Sequence, residues 1–176
     1  MNYYFYKYSE TDIKKQRAIA RCLFKYALEK DFGITGVNYL KDERGKPYIP
    51  NSNLHMSISH CRAGAACVIA DIPVGIDVEE ISRIKLKIAR RICTENELAL
   101  LQNAEDKQDF LCRLWVLKEA YSKLTGKGFA EKFNTIDTTD NKNLFAEKRD
   151  GVYVGISFKS DSYFDFEEKG LINECN

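Results

Sequence analysis

Asp71-Ile72-Pro73-Val74-Gly75-Ile76-Asp77-Val78-Glu79 is the segment on which the reading of the fold depends. Asp-Ile-Pro turns the chain, and Val74 to Glu79 then predicts a strand. Residues two apart on a strand share a face, so the Asp77 and Glu79 carboxylates stand side by side. An exposed strand pair is the plain reading of such a spacing. A bound cation is the other, because the rest of the strand is apolar and unpaired carboxylates are costly to bury.

Upstream of this strand, apolar Ala65–Ala70 and the pieces His55–Ser59 and Val37–Leu40 also predict strands. The last two are joined by the turn-rich Asp42-Glu43-Arg44-Gly45-Lys46-Pro47. Asn2–Tyr8 predicts an opening strand, and Ser9-x-x-Asp12 has the pattern of an acidic capping box. A helix is expected next, with Ile19, Cys22, Leu23, Tyr26 and Ala27 as its apolar stripe and Gly33 as its stop. Downstream, the basic run Arg83, Lys85, Lys87, Arg90 and Arg91 precedes Thr94-x-x-Glu97, which caps a helix to about Asn103. Asp109–Thr125 predicts a longer helix carrying Phe110, Leu111, Leu114, Trp115 and Leu117, with Gly126 as C-cap. Gly151–Phe158 and Ser162–Phe166 alternate as strands do. Helices against short antiparallel strands in both halves predict an α+β fold of two similar lobes, 1–74 and 75–176, with the site at their seam.

Composition excludes several classes. The 176 residues are 44% hydrophobic and 30% charged, enough for a core without staples. The net charge of +1 gives no footprint for nucleic acid. No apolar run approaches the ~20 residues of a membrane helix, and the amino terminus lacks a signal-peptide pattern, so a cytoplasmic, soluble protein is expected. Residues 1–74 hold 11 Lys/Arg against 7 Asp/Glu, and residues 75–176 hold 16 against 19, so an anionic ligand would favour the first lobe or the seam. Cysteines 22, 61, 67, 93, 112 and 175 show no metal-finger spacing and read as reduced thiols.

The second chemical constellation is Trp115-Val116-Leu117-Lys118-Glu119-Ala120-Tyr121-Ser122-Lys123. Glu119 and Lys123 are one helical turn apart, which makes an ordinary intrahelical ion pair. If Glu119 instead faces the Asp77/Glu79 strand, three carboxylates offer hard oxygen ligands suited to Mg²⁺ or Mn²⁺, and Lys123 meets a phosphate. Gly45-Lys46-Pro47 and Ser57-Ile58-Ser59-His60 could assist, although a turn lysine and a structural histidine are their default roles. Thr125-Gly126-Lys127-Gly128 follows a helix instead of opening one and is no P-loop. Cys61 and His60, neighbours on a strand, face opposite sides and form no nucleophile and base pair.

In order, G-K-P, S-x-S-H, G-I-D-V-E and W-x-x-K-E-A-x-x-K with a following G-K-G resemble the 4′-phosphopantetheinyl transferases, over about Gly45 to Gly128. The pattern is closer to the surfactin-type branch of single-chain pseudodimers than to the shorter holo-acyl-carrier-protein synthases. The resemblance implies transfer of the 4′-phosphopantetheine of coenzyme A to a serine of an apo acyl or peptidyl carrier protein, with release of 3′,5′-ADP. It implies Mg²⁺ at Asp77, Glu79 and Glu119, with Glu119 also the candidate base. Lys123 would lie at the pyrophosphate, Gly45, Lys46 and Pro47 in the coenzyme A loop, and Ser59 and His60 at a phosphate. Arg17 is the candidate for the 3′-phosphate, with Lys14 and Lys15 behind it. The carrier is expected to dock near Arg83–Arg91, with Ile84, Leu86 and Ile88 as anchors, on a monomeric enzyme. The pattern departs from the family where Cys61-Arg62 follow Ser59-His60. Other readings are a non-catalytic coenzyme A-binding regulatory or partner protein, and a Mg²⁺-dependent pyrophosphohydrolase.

Overall fold

The computed structural model describes residues 1–128, 132–160 and 166–170. Its first sheet contains β1 (Asn2–Lys7), β4 (His55–His60), β5 (Gly64–Ala70) and β9 (Glu167–Gly170), in the order β4-β5-β1-β9. Helix α1 (Ile13–Phe32) covers one face. A small hairpin, β2 (Leu40–Lys41) with β3 (Pro47–Tyr48), lies between α1 and β4 in the chain. The second sheet has β6 (Val74–Glu80), β7 (Leu144–Arg149) and β8 (Val152–Phe158), ordered β6-β8-β7. Between β6 and β7 come two 3₁₀ turns, α2 (Ala89–Ile92), α3 (Glu95–Asn103), α4 (Lys107–Thr125) and a further 3₁₀ turn at Phe133–Thr135. Strand β9 runs parallel to β1, and every other strand pairing among the described residues is antiparallel. Most of the expected Ser162–Phe166 strand lies outside the described residues.

Alternation decides the layering. Tyr3, Phe5, Ala66, Val68 and Ala70 of the first sheet pack against Ile76, Val78, Val152, Val154 and Ile156 of the second. The opposite faces take helices: Tyr4, Cys67 and Ile69 meet Ala20, Leu23, Phe24 and Ala27 of α1, while Tyr153 joins Leu111, Cys112 and Val116 of α4. The order is therefore helix, sheet, sheet, helix, each interface built from one side of a period-2 strand.

Helix ends follow local chemistry. Asp12, not Ser9, is the N-cap of α1, its carboxylate accepting from the Lys14 N–H at 2.8 Å. The short acidic side chain next to the helix wins because it reaches the unpaired first-turn N–H groups. The core stripe of α1 also differs from the expected one. Ala20, Phe24 and Leu28 are buried beside Leu23 and Ala27, whereas Cys22 is only half-buried. The Thr94/Glu97 box forms as expected, with both reciprocal bonds present, and Gly126 ends α4 in a left-handed conformation.

Two glycines set how near α4 comes to the second sheet. A Cβ on Gly75 would stand 2.0 Å from the Ala120 carbonyl oxygen, and one on Gly155 would stand 2.6 Å from the Val116 carbonyl carbon. Gly155 is the register partner of Asp77. The helix thus rests on bare backbone beside the acidic strand, and Glu119 is carried there with it.

Candidate active site

The free edges of the two sheets meet at β4 and β6. Ser57 and Ser59, spaced by two, both serve this seam. Ser57 Oγ accepts the Ile76 N–H at 2.9 Å, and Ser59 Oγ donates to Asp77 Oδ1 at 2.7 Å. The hydroxyls satisfy polar groups that an unpaired edge would otherwise leave buried. Ser57 belongs to the S-x-S-H motif, but its structural role was not legible, because the chain does not say that β4 and β6 are neighbours.

His60 faces α1 instead. Its Nδ1 lies 3.1 Å from Gln16 Oε1, and the amide's Nε2 donates to the Glu10 carbonyl at 2.7 Å. That second bond fixes the amide orientation, so Nδ1 is the atom that carries the imidazole proton. Burial, and then the positive charges of Lys123 and Arg17, hold the His60 pKa below the usual histidine range.

On the far side of the seam, Gly75, Asp77 and Glu79 turn toward α4, from which Glu119 and Lys123 project. Asp77 is buried, while Glu79 and Glu119 are half-buried. Burial, followed by the Asp77 charge, raises the Glu119 carboxyl to about 7. Burial is also the largest cause of an upward displacement at Glu79, with Asp77 adding to it. Three carboxylates therefore feel one another's charge. Lys123 answers part of it, its Nζ lying 2.7 Å from Asp77 Oδ1 and 2.9 Å from the Ile76 carbonyl.

Oxygen-only donors of this charge suit a hard divalent cation. They are not drawn together into a coordinating cluster: among the described residues no group of three His, Cys, Asp or Glu could hold a metal ion in this conformation. One reason is visible at Asp77, whose Oδ1 is shared by the Lys123 ammonium and the Ser59 hydroxyl.

A cleft of about 640 Å³ opens beside these groups, lined by residues of α1, the β2–β3 hairpin, β4 and α4. Its cations are Arg17, Arg21 and Lys25 at four-residue steps along α1, Lys41, Arg44 and Lys46 from the hairpin, and Lys123. Phe24, Tyr39, Pro47, Met56, Ile58 and Phe133 give it an apolar side. Lys46 Nζ reaches across the seam to the Leu124 carbonyl at 2.7 Å, and burial lowers its pKa.

Of the residues expected in the site, Arg17, Gly45, Lys46, Pro47, His60, Glu119 and Lys123 line this cleft. Ser59, Asp77 and Glu79 do not line it; Ser59 and Asp77 are joined to each other, and Glu79 stands two residues along the same strand face. Lys14 and Lys15 do not line it. Arg21 and Lys25 were missed, although the i, i+4, i+8 spacing from Arg17 was there to be read. Cys61, which follows the S-H pair, is core: its N–H bonds the Gly64 carbonyl in the β4–β5 turn, and burial pushes its thiol up to about 11.

Two further parts of the W-x-x-K-E motif act inward. Lys118 is fully buried, bonded to Glu97 Oε2 at 2.6 Å and to the carbonyls of Phe133 and Ile136 at 2.8 and 2.5 Å. Trp115 meets the Phe133 ring edge-on, with centroids 5.9 Å apart. Both contacts hold Phe133, and with it one wall of the cleft, against α4.

Residues 73–167 match the family described as the 4′-phosphopantetheinyl transferase superfamily. A 4′-phosphopantetheinyl transferase, gsp, from Aneurinibacillus migulanus is 35% identical over 135 residues, 74% of this chain and 56% of that protein. The 4′-phosphopantetheinyl transferase Sfp of Bacillus subtilis strain 168 is 31% identical over 122 residues, 68% and 51% of the two chains. A holo-[acyl-carrier-protein] synthase of Bacillus cereus is 36% identical over 74 residues, covering 38% of this chain and 62% of that one. The matches thus span about half to three-fifths of these relatives' own lengths.

Proposed function

Because this chain belongs to the 4′-phosphopantetheinyl transferase superfamily, we propose that it transfers the 4′-phosphopantetheine of coenzyme A to a serine of an apo carrier protein. The observation that carries this reading is the continuity of one cleft, from the cations of α1 and the hairpin to Glu119 and Lys123 beside the acidic strand. A nucleotide with a pyrophosphate and an additional phosphate needs both parts. Arg17, Arg21 and Lys25 suit the outer phosphate and Lys46 and Lys123 the pyrophosphate, while the apolar side takes the base or the pantetheine arm.

In the proposed reaction the serine oxygen forms a bond to the phosphorus next to pantetheine. The bond from that phosphorus to the bridging oxygen breaks, and 3′,5′-ADP leaves with the electron pair. Asp77, Glu79 and Glu119 would hold Mg²⁺, which supplies charge neutralisation on the pyrophosphate when bound. Glu119 accepts the serine proton, directly or through water. His60 starts neutral with its proton on Nδ1, and a phosphate nearby favours its cationic form. The exposed cations Arg83, Lys85, Lys87, Arg90 and Arg91 would steer an acidic carrier, with the exposed Leu86 as an apolar contact. Ile84 is core and supplies no such anchor.

Chromatography of 3′,5′-ADP, formed from coenzyme A and Mg²⁺ with and without apo carrier, tests the proposal. Release only when carrier is present is expected, lost with EDTA and reduced at least ~100-fold in Asp77→Ala. Release without carrier would make water the acceptor. Coenzyme A binding with no release in either arm would leave a binding protein.

A further inference from the structure

The Asp77 carboxylate already has a cation. Lys123 reaches back from the last turn of α4 to place its ammonium 2.7 Å from Asp77 Oδ1 and 2.9 Å from the Ile76 carbonyl. Its side chain is about one-third exposed, and that of Asp77 one-tenth. Glu119, one helical turn before Lys123, would be its ordinary helix partner. The ammonium instead crosses to the strand, where the more deeply buried acid sits. Ser59 completes the arrangement by donating to the same Oδ1.

A divalent cation and this ammonium cannot both keep Oδ1. Binding the ion there breaks the Lys123–Asp77 pair and leaves a positive side chain beside a doubly positive centre. Taken alone, that exchange opposes metal binding. A pyrophosphate in the adjoining cleft changes the balance, because Lys123 also lines that cleft and can turn its displaced ammonium to the new anion.

We propose that Lys123 is a built-in counter-cation of the carboxylate site, exchanged for the divalent ion, and that this exchange makes the metal and a pyrophosphate-bearing ligand bind cooperatively. The inference rests on the reading of the cleft as a metal and coenzyme A site and specifies how the two are coupled. Without ligand, Lys123 neutralises Asp77 and the site has little demand for metal. With ligand, the same ammonium becomes part of the phosphate cradle and the carboxylates are free to take the ion. Each ligand raises the affinity of the other, as linkage requires.

Mn²⁺ titrations by electron paramagnetic resonance, without and with saturating coenzyme A, test this in the wild type, Lys123→Met, Lys123→Arg and Asp77→Asn, with circular dichroism reporting the fold. In the wild type, coenzyme A should tighten Mn²⁺ at least ~fivefold, within the usual range of coupling between sites. Lys123→Met should bind Mn²⁺ alone about tenfold more tightly than the wild type and lose part of that coupling, the direct attraction of the ion for the pyrophosphate remaining. Lys123→Arg, which keeps the charge, should stay near the wild type in the absence of coenzyme A and guards against a Met variant that misfolds. Unchanged or weaker Mn²⁺ binding in a folded Lys123→Met, or coupling that survives in full, would overturn the exchange while leaving the metal site standing. Asp77→Asn binding Mn²⁺ as well as the wild type would instead remove the metal site.

Discussion

Lys118→Met is expected to destabilise the protein by about 3–5 kcal/mol, the usual cost of removing one partner from a buried ion pair. Both Lys118 and Glu97 are completely buried, and the ammonium also satisfies the Phe133 and Ile136 carbonyls. Its loss strands a buried carboxylate and removes a donor from two carbonyls. Glu97 retains the Thr94 N–H and the Thr138 N–H and hydroxyl, so the α3 cap survives in part. For a domain of this size the change corresponds to a fall in Tm of about 6–20 °C, read by differential scanning calorimetry. Replacing both partners, Lys118→Met with Glu97→Leu, should cost less than the sum of the single changes, because no lone charge remains. Equal stability of Lys118→Met and the wild type would refute the buried pair.

Gly75→Ala is expected to be nearly as damaging, although it adds one methyl group. That methyl would lie 2.0 Å from the Ala120 carbonyl oxygen and 2.7 Å from the Leu124 nitrogen, both main-chain atoms of α4. Main chain cannot rotate aside as a side chain can, so the helix must retreat from β6. Overpacking of this kind costs about 1–3 kcal/mol, and the severity of this contact points to the upper end. The retreat also carries Glu119 and Lys123 away from Asp77, so loss of function should exceed what instability alone explains. Thermal denaturation together with Mn²⁺ binding at a temperature where the variant is folded separates the two effects. A Gly75→Ala protein with wild-type Tm would show that α4 does not rest on this strand.

The contrast between Asp77 and Lys118 marks how much could be read from the chain. Asp77 and Glu79 were identifiable because strand periodicity puts both on one face and an apolar strand makes their charge conspicuous. The helix bearing Trp115 to Lys123 announced itself through its stripe and its Gly126 stop, and Thr94 and Glu97 through their spacing. Lys118 gave no comparable signal. A lysine on a helix is ordinarily solvated, and it is the packing of α3 and of the Phe133 to Ile136 stretch that encloses this one. Ser57 was quoted with its motif, but the Ile76 N–H it serves lies on another sheet. Arg21 and Lys25 share a helical face with Arg17, a pattern also made by any solvated surface, and only the cleft beside them distinguishes the two. At the start of α1, two capping residues competed, and Asp12 prevailed by adjacency to the first turn. What stayed hidden depends on which elements become neighbours at the seam, and local propensity carries little of that information.

The proposed transfer of phosphopantetheine at the cleft beside the β4–β6 seam is tested most directly by intact-mass spectrometry of an apo carrier protein. The carrier is incubated with this protein, coenzyme A and Mg²⁺, beside a carrier whose acceptor serine is alanine and a reaction with Asp77→Ala. A mass gain equal to one phosphopantetheine, on the serine-bearing carrier alone and absent with Asp77→Ala, is the predicted result. An unmodified carrier across a panel of fatty acid, polyketide and peptide synthase types, with coenzyme A demonstrably bound, would contradict it.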